Sequence, residues 1–374
     1  MRRAQFDTAS MLAELRGWVE IESPTVDREA VNRMVDHVER AYSDTGARLE
    51  RVEGRDGFGD HLIARSTWGT ADRGILVLSH LDTVHPLGFI ARLPFKVEGG
   101  SAYGPGIYDM KGGAFLAFHA FREMARLGSG GTLAVTQLYV SDEEVGSPTS
   151  RAIIEREARN AKYVLVTEPA REGGRIVTAR KGTARFEVRV KGRPAHSGSR
   201  HQDGRSAIRE LARQILAIEA FTDYQRDITT NVGIISGGTR ANVVPEEALA
   251  EVDMRVASPE QADEMVARML SLKAHDEGVS VTVIGGMNRP PYEKDERIAE
   301  LFNHARTLAE AIGYKLEDLR TGGGSDGNFT AAIASTLDGL GVDGKGGHTP
   351  HEQIYISSIA PRSELLYRLF QTLK

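Results

Sequence analysis

The chain has 374 residues, enough for two domains and a large core. Hydrophobic residues make up 40% and charged residues 26%, and 47 basic against 52 acidic side chains give a net charge of -5, which leaves no basic footprint for nucleic acid. Cysteine is absent, so disulfides and thiolate metal sites are excluded and any metal must take histidine and carboxylate donors.

The opening segment, MRRAQFDTASMLAELRGW, has basic residues but no apolar stretch of signal-peptide type, and no run is long enough to span a membrane. A cytoplasmic protein without a membrane partner is expected. Val31, Met34, Val35 and Val38 recur at helical spacing, with Gly46 as the stop. From Gly74 to Glu168, buried apolar runs alternate with a helical segment holding Phe115, Phe118 and Phe121. That is the pattern of a parallel α/β sheet. After about Arg180 the pattern changes. GTARFEVRVKG alternates strictly, with Ala184, Phe186, Val188 and Val190 on one face, as in a half-buried antiparallel strand. A helix (Ile208, Leu211, Ile215, Ile218), strands near Val232 and Val252, a helix near Met265 and a strand at Val281 and Val283 follow. The order β-α-β-β-α-β is ferredoxin-like. The expected fold is thus α/β: a mostly parallel sheet sandwiched by helices at 1–178 and 288–374, with an inserted ferredoxin-like α+β domain at 179–287.

His80, Asp109, Glu143, Glu144 and Glu168 are read as standing just beyond hydrophobic runs, among them ILVLSHLD, LAVTQLYVSDEE and YVLVTEP. The carboxyl ends of strands in an open α/β sheet converge on one crevice. With His348, two imidazoles and several carboxylates would gather there, a donor set suited to zinc. A hydrolase with two zinc ions follows from that arrangement.

In SHLDTVHP, His80 and Asp82 point the same way on an extended strand, so Asp82 is placed to orient the His80 ring. The competing reading is a satisfied core histidine beside a loop aspartate. In GPGIYDMKGG, Asp109 occupies a glycine-rich turn before a helix, where it either bridges two metals or caps the helix. In SDEEVGS the adjacent side chains diverge, so one acid can bind metal while the other acts as general base; the plainer reading is a solvated acidic loop. Pro169 ends the strand that delivers Glu168. GGHTPHE offers both His348 and His351.

Together with KGRPAHSG, RANVVPEEA, DMRV and GGGSD, these motifs resemble the co-catalytic zinc peptidase family of aminoacylase, acetylornithine deacetylase, succinyl-diaminopimelate desuccinylase and glutamate carboxypeptidase. The resemblance covers essentially the whole chain and is strongest to the folate-cleaving glutamate carboxypeptidase branch. It implies two zinc ions per subunit, with cobalt or manganese as substitutes. One ion takes His80 and Glu168, the other Glu144 and His348, and Asp109 bridges them. Asp82 becomes the partner of His80, and Glu143 the general base for a hydroxide between the ions. His348 is preferred to His351 because the family histidine is followed, after three intervening residues, by glutamate, here Glu352. The inserted domain would be a lid through which the protein forms a homodimer. His196, in GRPAHSG, resembles the histidine that polarises the scissile carbonyl, often in the partner subunit's site; a surface loop histidine is its plainer reading. Asn242 and Arg255 resemble the pair that holds the substrate carboxylate, against a surface ion pair of Arg255 with Glu251 or Asp253. Arg289 is a further expected substrate contact.

The expected activity is metal-dependent hydrolysis of an amide bond in a small peptide or N-acyl amino acid, releasing a C-terminal amino acid. An N-acyl-amino-acid deacylase or a dipeptidase would share the same zinc chemistry. A non-catalytic metal-dependent binding protein is the rival from another class. Glu143 speaks against it, since a binding module needs no general base.

Overall fold

The computed structural model describes residues 4–69, 72–128 and 130–374. The chain divides into two units, one of Met1–Thr178, Lys294–Arg320 and Ser325–Lys374, the other of Ala179–Glu293 with Thr321–Gly324.

In the first unit the apolar runs form a six-stranded sheet. Its order is Arg48–Val52, His61–Arg65, Val135–Val140, Gly74–His80, Ala161–Val166, Ser335–Leu337. The last four strands run parallel, and the first two join by antiparallel pairing. Helices cover both faces, which is why Gly74–His80 is apolar without alternation. On one face Leu76, Leu78, Leu138, Val140, Val164 and Val166 pack with Ile153, Ile154 and Ala158 of the helix Arg151–Arg159. Each of the buried Leu, Val and Ile side chains stabilises by about 1.5–3 kcal/mol. On the other face Gln137 donates to the carbonyl of Ala117 in the helix Gly112–Leu127, and Tyr42 meets the edges of Phe118 and Phe121.

The helix Arg28–Ala41 is capped by Asp27, which accepts from the Ala30 N–H, and it buries Val31, Met34, Val35 and Val38. It stops at Ala41, ahead of the expected stop at Gly46, because Tyr42 turns its ring into the core and its N–H closes back on Glu39 and Arg40.

A second, four-stranded sheet in this unit has no counterpart in the sequence reading. It pairs Gly344–Lys345, Gln353–Tyr355, Ser101–Tyr103 and Lys96–Glu98. Strands of two or three residues are too short to show a period. The sheet matters because the loop between its first two strands carries His348. It also changes the origin of Asp109, which does not follow a strand of the large sheet as expected. Asp109 stands in the turn Ile107–Lys111, ahead of the helix Gly112–Leu127.

The second unit is a four-stranded antiparallel sheet in the order Thr229–Gly237, Glu247–Val256, Gly182–Lys191, Ser280–Arg289. Ala184, Phe186, Val188, Ala250, Val252 and Met254 face Leu211 and Ile218 of the helix Ala207–Glu219 and Met265 and Met269 of the helix Pro259–Leu270. The strict alternation of GTARFEVRVKG is the mark of this one-sided burial. Among the described residues, no helix is long and apolar enough to cross a membrane.

Candidate metal centre

His80 ends the strand Gly74–His80 with its ring 1% exposed. Its Nδ1 lies 2.9 Å from the main-chain carbonyl of Asp82 and 3.5 Å from the Asp82 carboxylate, so the carbonyl is its acceptor. The Asp82 carboxylate has other work. It accepts from the N–H groups of Glu143 (3.3 Å) and Glu144 (3.2 Å) and from the Thr25 hydroxyl (2.8 Å). Asp82 thus joins the end of one strand to the acidic turn that follows Val135–Val140.

The other face of that turn is held by Asp142, which the sequence reading passed over. Its carboxylate accepts from the N–H and hydroxyl of both Thr149 and Ser150. Three acids in a row hid its separate task. The S-x-T-S spacing at the coming helix was the available signal. Clamped from both sides, the turn is not a loose acidic loop.

Asp109 lies between the two histidines. Its Oδ1 is 3.2 Å from His80 Nε2 and its Oδ2 is 3.2 Å from His348 Nε2. The helix-cap reading does not hold, because Lys111 occupies the N-cap position and no side chain caps it there. Glu144 Oε2 is also 3.2 Å from His348 Nε2, and Glu168 Oε1 is 3.8 Å from His80 Nε2. His348, and not His351, is the histidine that reaches these acids. It does so from a backbone φ of 64°, a left-handed value that residues other than glycine rarely adopt.

Close packing of glycines brings Glu168 into range. A Cβ on Gly113 would come within 1.9 Å of the Thr167 carbonyl oxygen, and one on Gly341 within 2.3 Å. Only bare backbone lets the helix Gly112–Leu127 and the bend at Gly341 press against the Thr167–Glu168 peptide.

Donor atoms of His80, Asp109 and Glu144 lie within 4.8 Å of one another, as do those of His80, Glu143 and Glu168. The electrostatics of this cluster favour positive charge. Burial opposes the imidazolium of His80, yet the carboxylates of Asp109 and Asp82 raise its pKa well above the ordinary value. Hydrogen bonds to Asp109 and Glu144 push His348 up to about 11. Burial raises Glu144, while the two histidines overcome burial and hold Asp109 far below the usual carboxylate range. A group of crowded acids is therefore drawing positive charge from ring protons. Divalent cations at the same atoms would supply that charge instead. Glu144 Oε1 is buried and accepts no hydrogen bond from any described residue. A buried carboxylate oxygen without a donor fits a metal ligand.

The remaining candidates lie in the second unit, in two groups. His196 is exposed on the short ribbon of Ala195–His196 with Val243–Val244. Its Nδ1 accepts from the N–H groups of Gly198 (3.1 Å) and Ser199 (3.3 Å). The neutral ring then carries its proton on Nε2 and presents a donor outward. Asn242 adjoins it, its carbonyl accepting from the Ser197 N–H. Arg255 and Arg289 form the other group, both in register with Thr183. Arg289 is 4% exposed and lies against Gly324. The Arg255 fork grips Asp253 at 2.7 and 2.9 Å, the ion pair foreseen as its plainer role. Register puts Glu247 opposite Lys191 and Arg255 opposite Thr183, at the two ends of the strand. The eight steps between them span roughly 26 Å at about 3.3 Å per residue. One chain does not place Asn242 beside Arg255.

Comparison with known proteins gives the family. The sequence model of peptidase family M20/M25/M40 matches residues 76–372. Carboxypeptidase G2 of Pseudomonas sp. (strain RS-16) is 30% identical over 373 residues, covering 97% of this chain and 89% of that protein. The YqjE protein of Bacillus subtilis is 25% identical, covering 96% and 97%. Among solved structures, aminopeptidase PepT from Bacillus cereus superposes with a TM-score of 0.79 at 24% identity, covering 98% of both chains. The Bacillus subtilis YXEP protein, described as a dinuclear metal binding peptidase, gives 0.70 at 15% identity, covering 98% and 99%. The chain belongs to peptidase family M20/M25/M40.

Proposed function

We propose that the protein is a two-metal carboxypeptidase that hydrolyses the amide bond before a C-terminal amino acid, with glutamate as the first residue to test. The observation that carries this reading is the Asp109 carboxylate, 3.2 Å from each histidine, with Glu144 and Glu168 beside them. Two divalent ions there, zinc or its substitutes cobalt and manganese, would supply Lewis acidity and an acidic water at neutral pH. His80 and Glu168 would hold one, Glu144 and His348 the other, and Asp109 would be shared by both. Glu143 takes the proton of the attacking water and returns it to the leaving amine. Asp82 keeps His80 and the acidic turn in place. His196 donates from Nε2 to the scissile carbonyl oxygen as its charge develops. The carboxypeptidase G2 relative, at 30% identity over nearly the whole chain, favours carboxypeptidase over aminopeptidase chemistry. The test offers the zinc-loaded protein folyl-glutamate, N-acetyl amino acids and free dipeptides, and identifies the released amines. Cleavage of N-acetyl amino acids alone would make it a deacylase, and of dipeptides alone a dipeptidase. Tight metal binding without turnover would make it a binding protein.

Arg255 reads the terminal carboxylate in this scheme, with Arg289, across Thr183 from it, as a further substrate contact. The fork that grips Asp253 is the right shape for a carboxylate, and a substrate would compete for it. A charge-assisted pair of this kind is worth about 1.5–3 kcal/mol. Arg255→Ala should therefore lower kcat/KM by roughly 10- to 100-fold on a free-carboxylate substrate. Arg255→Lys should restore only part of it, since the charge stays but the fork is lost. The amidated substrate should already be poor, and Arg255→Ala should cost it little more. An equal penalty on both substrates would assign Arg255 to the fold of its own sheet.

The active form is a homodimer through the second unit. Thr229–Gly237 is an edge strand, and its Ile234 and Ile235 are 56% and 63% exposed. Ile208 and Leu216 of the adjacent helix are 46% and 73% exposed. An apolar edge of this kind is a template for a second chain. A second copy also explains how Asn242 and Arg255 serve one substrate, with His196 and Asn242 contributed by the neighbour. Ile235→Asp is expected to run as a monomer in light scattering, keep its metals and lose about 10²-fold in kcat, the usual cost of removing an oxyanion donor. A parent protein that is monomeric and fully active would exclude the requirement.

A further inference from the structure

Glu352 was noted in the sequence only as the residue that follows the family histidine. In the structure it is fully buried and has four donors. Its Oε1 accepts from the N–H groups of Tyr108 and Asp109, at 2.9 Å each. Its Oε2 accepts from the Gly106 N–H at 2.9 Å and from His85 Nε2 at 2.7 Å. His85 is itself held by stacking on Phe89, with ring centroids 4.4 Å apart.

The three backbone donors belong to the turn that presents Asp109. The helix beyond starts at Gly112, so these N–H groups converge on the carboxylate as an anion-binding nest. Glu352 lies in the same loop as His348. One side chain therefore ties the loop of one candidate ligand to the backbone of another. It does so at the amide of Asp109 itself.

We propose that Glu352 is a positioning residue that fixes the Asp109 carboxylate where both metal ions can share it. The inference rests on the two-metal reading above. Glu352→Gln tests it without a change of size. The substitution turns one of the two acceptor oxygens into an NH2 group. Turned toward Tyr108 and Asp109, that group faces two N–H donors; turned toward His85, it still faces the N–H of Gly106. At least one backbone donor loses its acceptor, and the Asp109 turn must shift.

The experiment titrates cobalt into the metal-free parent, Glu352→Gln and His85→Phe. It records the affinity of each ion by calorimetry and the visible spectrum of the bound cobalt. Circular dichroism checks the fold. Outer partners of metal ligands typically control affinity by about 10- to 100-fold. Glu352→Gln should weaken cobalt binding by about that factor and alter the visible bands. His85→Phe keeps a ring to stack on Phe89 but removes one donor, so it should move both readouts the same way by less. Parent-like affinity and spectrum in Glu352→Gln would overturn the inference, even with a lower melting temperature. If Glu352→Gln does not fold, unchanged binding by His85→Phe overturns it instead. A parent that binds no cobalt would remove the two-metal reading and this inference together, whereas normal parental binding with a silent Glu352→Gln removes only the latter.

Discussion

Glu143→Ala is expected to keep both metal ions and to lose at least about 10²-fold in kcat, the scale of a missing general base. Its neighbour should behave differently. Glu144→Ala is expected to lose one of the two ions, as counted by elemental analysis of the purified protein. The division rests on where the two carboxylates go. Glu144 Oε2 is 3.2 Å from His348 Nε2, and its other oxygen is buried with no hydrogen-bond donor among the described residues. Glu143 has a carboxylate oxygen within 4.8 Å of ligand atoms of His80 and Glu168, at the rim where it would act as base on a water activated by the metals. Both main-chain N–H groups are held by Asp82, so neither substitution should release the turn. Glu143→Gln sharpens the test. It keeps the size and removes only the capacity to take a proton, so two bound ions with the rate lost would isolate that step. Equal metal loss from Glu143→Ala and Glu144→Ala would show that the two acids share one role.

The comparison of these two residues also indicates how far a sequence can be read. Strand ends were legible because Leu76, Leu78, Leu138 and Val140 sit in runs buried on both faces, and such runs announce themselves without a period. His80, Glu144 and Glu168 could thus be placed at one rim of the sheet. The alternation of Phe186 and Val188 with Glu187 and Arg189 made the second unit equally plain. His348 was legible only by resemblance, because the strands on either side of its loop have two and three residues. Glu352 was not assigned a role, since it accepts from amides far along the chain and such a contact leaves no spacing to find. Asp142 was hidden among three successive acids, although the hydroxyl residues Thr149 and Ser150 that it holds follow closely in sequence. The separation of Asn242 from Arg255 was hidden for a related reason. Family motifs name residues that meet at a substrate, and they do not say that one chain brings them together.

Removal of metal should have the largest effect of all. Dialysis against a chelator is expected to abolish hydrolysis, and zinc or cobalt to restore it. Asp109, Glu143, Glu144 and Glu168 bring four carboxylates to one rim, against two imidazoles. Two divalent cations would balance those charges. Without them the acids repel one another and raise the imidazoles of His80 and His348 above their ordinary range, which favours the protonated form that cannot ligate a metal. Catalysis should fall as well, because bulk water has a pKa of about 15.7 and a bound zinc would lower it to about 7. Stability should follow activity. An ion present at about a thousandfold above its Kd contributes about 4 kcal/mol to the folded state. The metal-free protein should therefore melt about 10 °C lower or more, in a transition that rises as zinc is returned. Single substitutions divide the effect. His348→Ala and Glu168→Ala should each lose one ion, and Asp109→Ala should lose both because its two oxygens serve the two sites. A protein stripped of metal, verified by elemental analysis, that still turned over substrate at the parental rate would leave the four acids without a purpose and the two-metal mechanism without support.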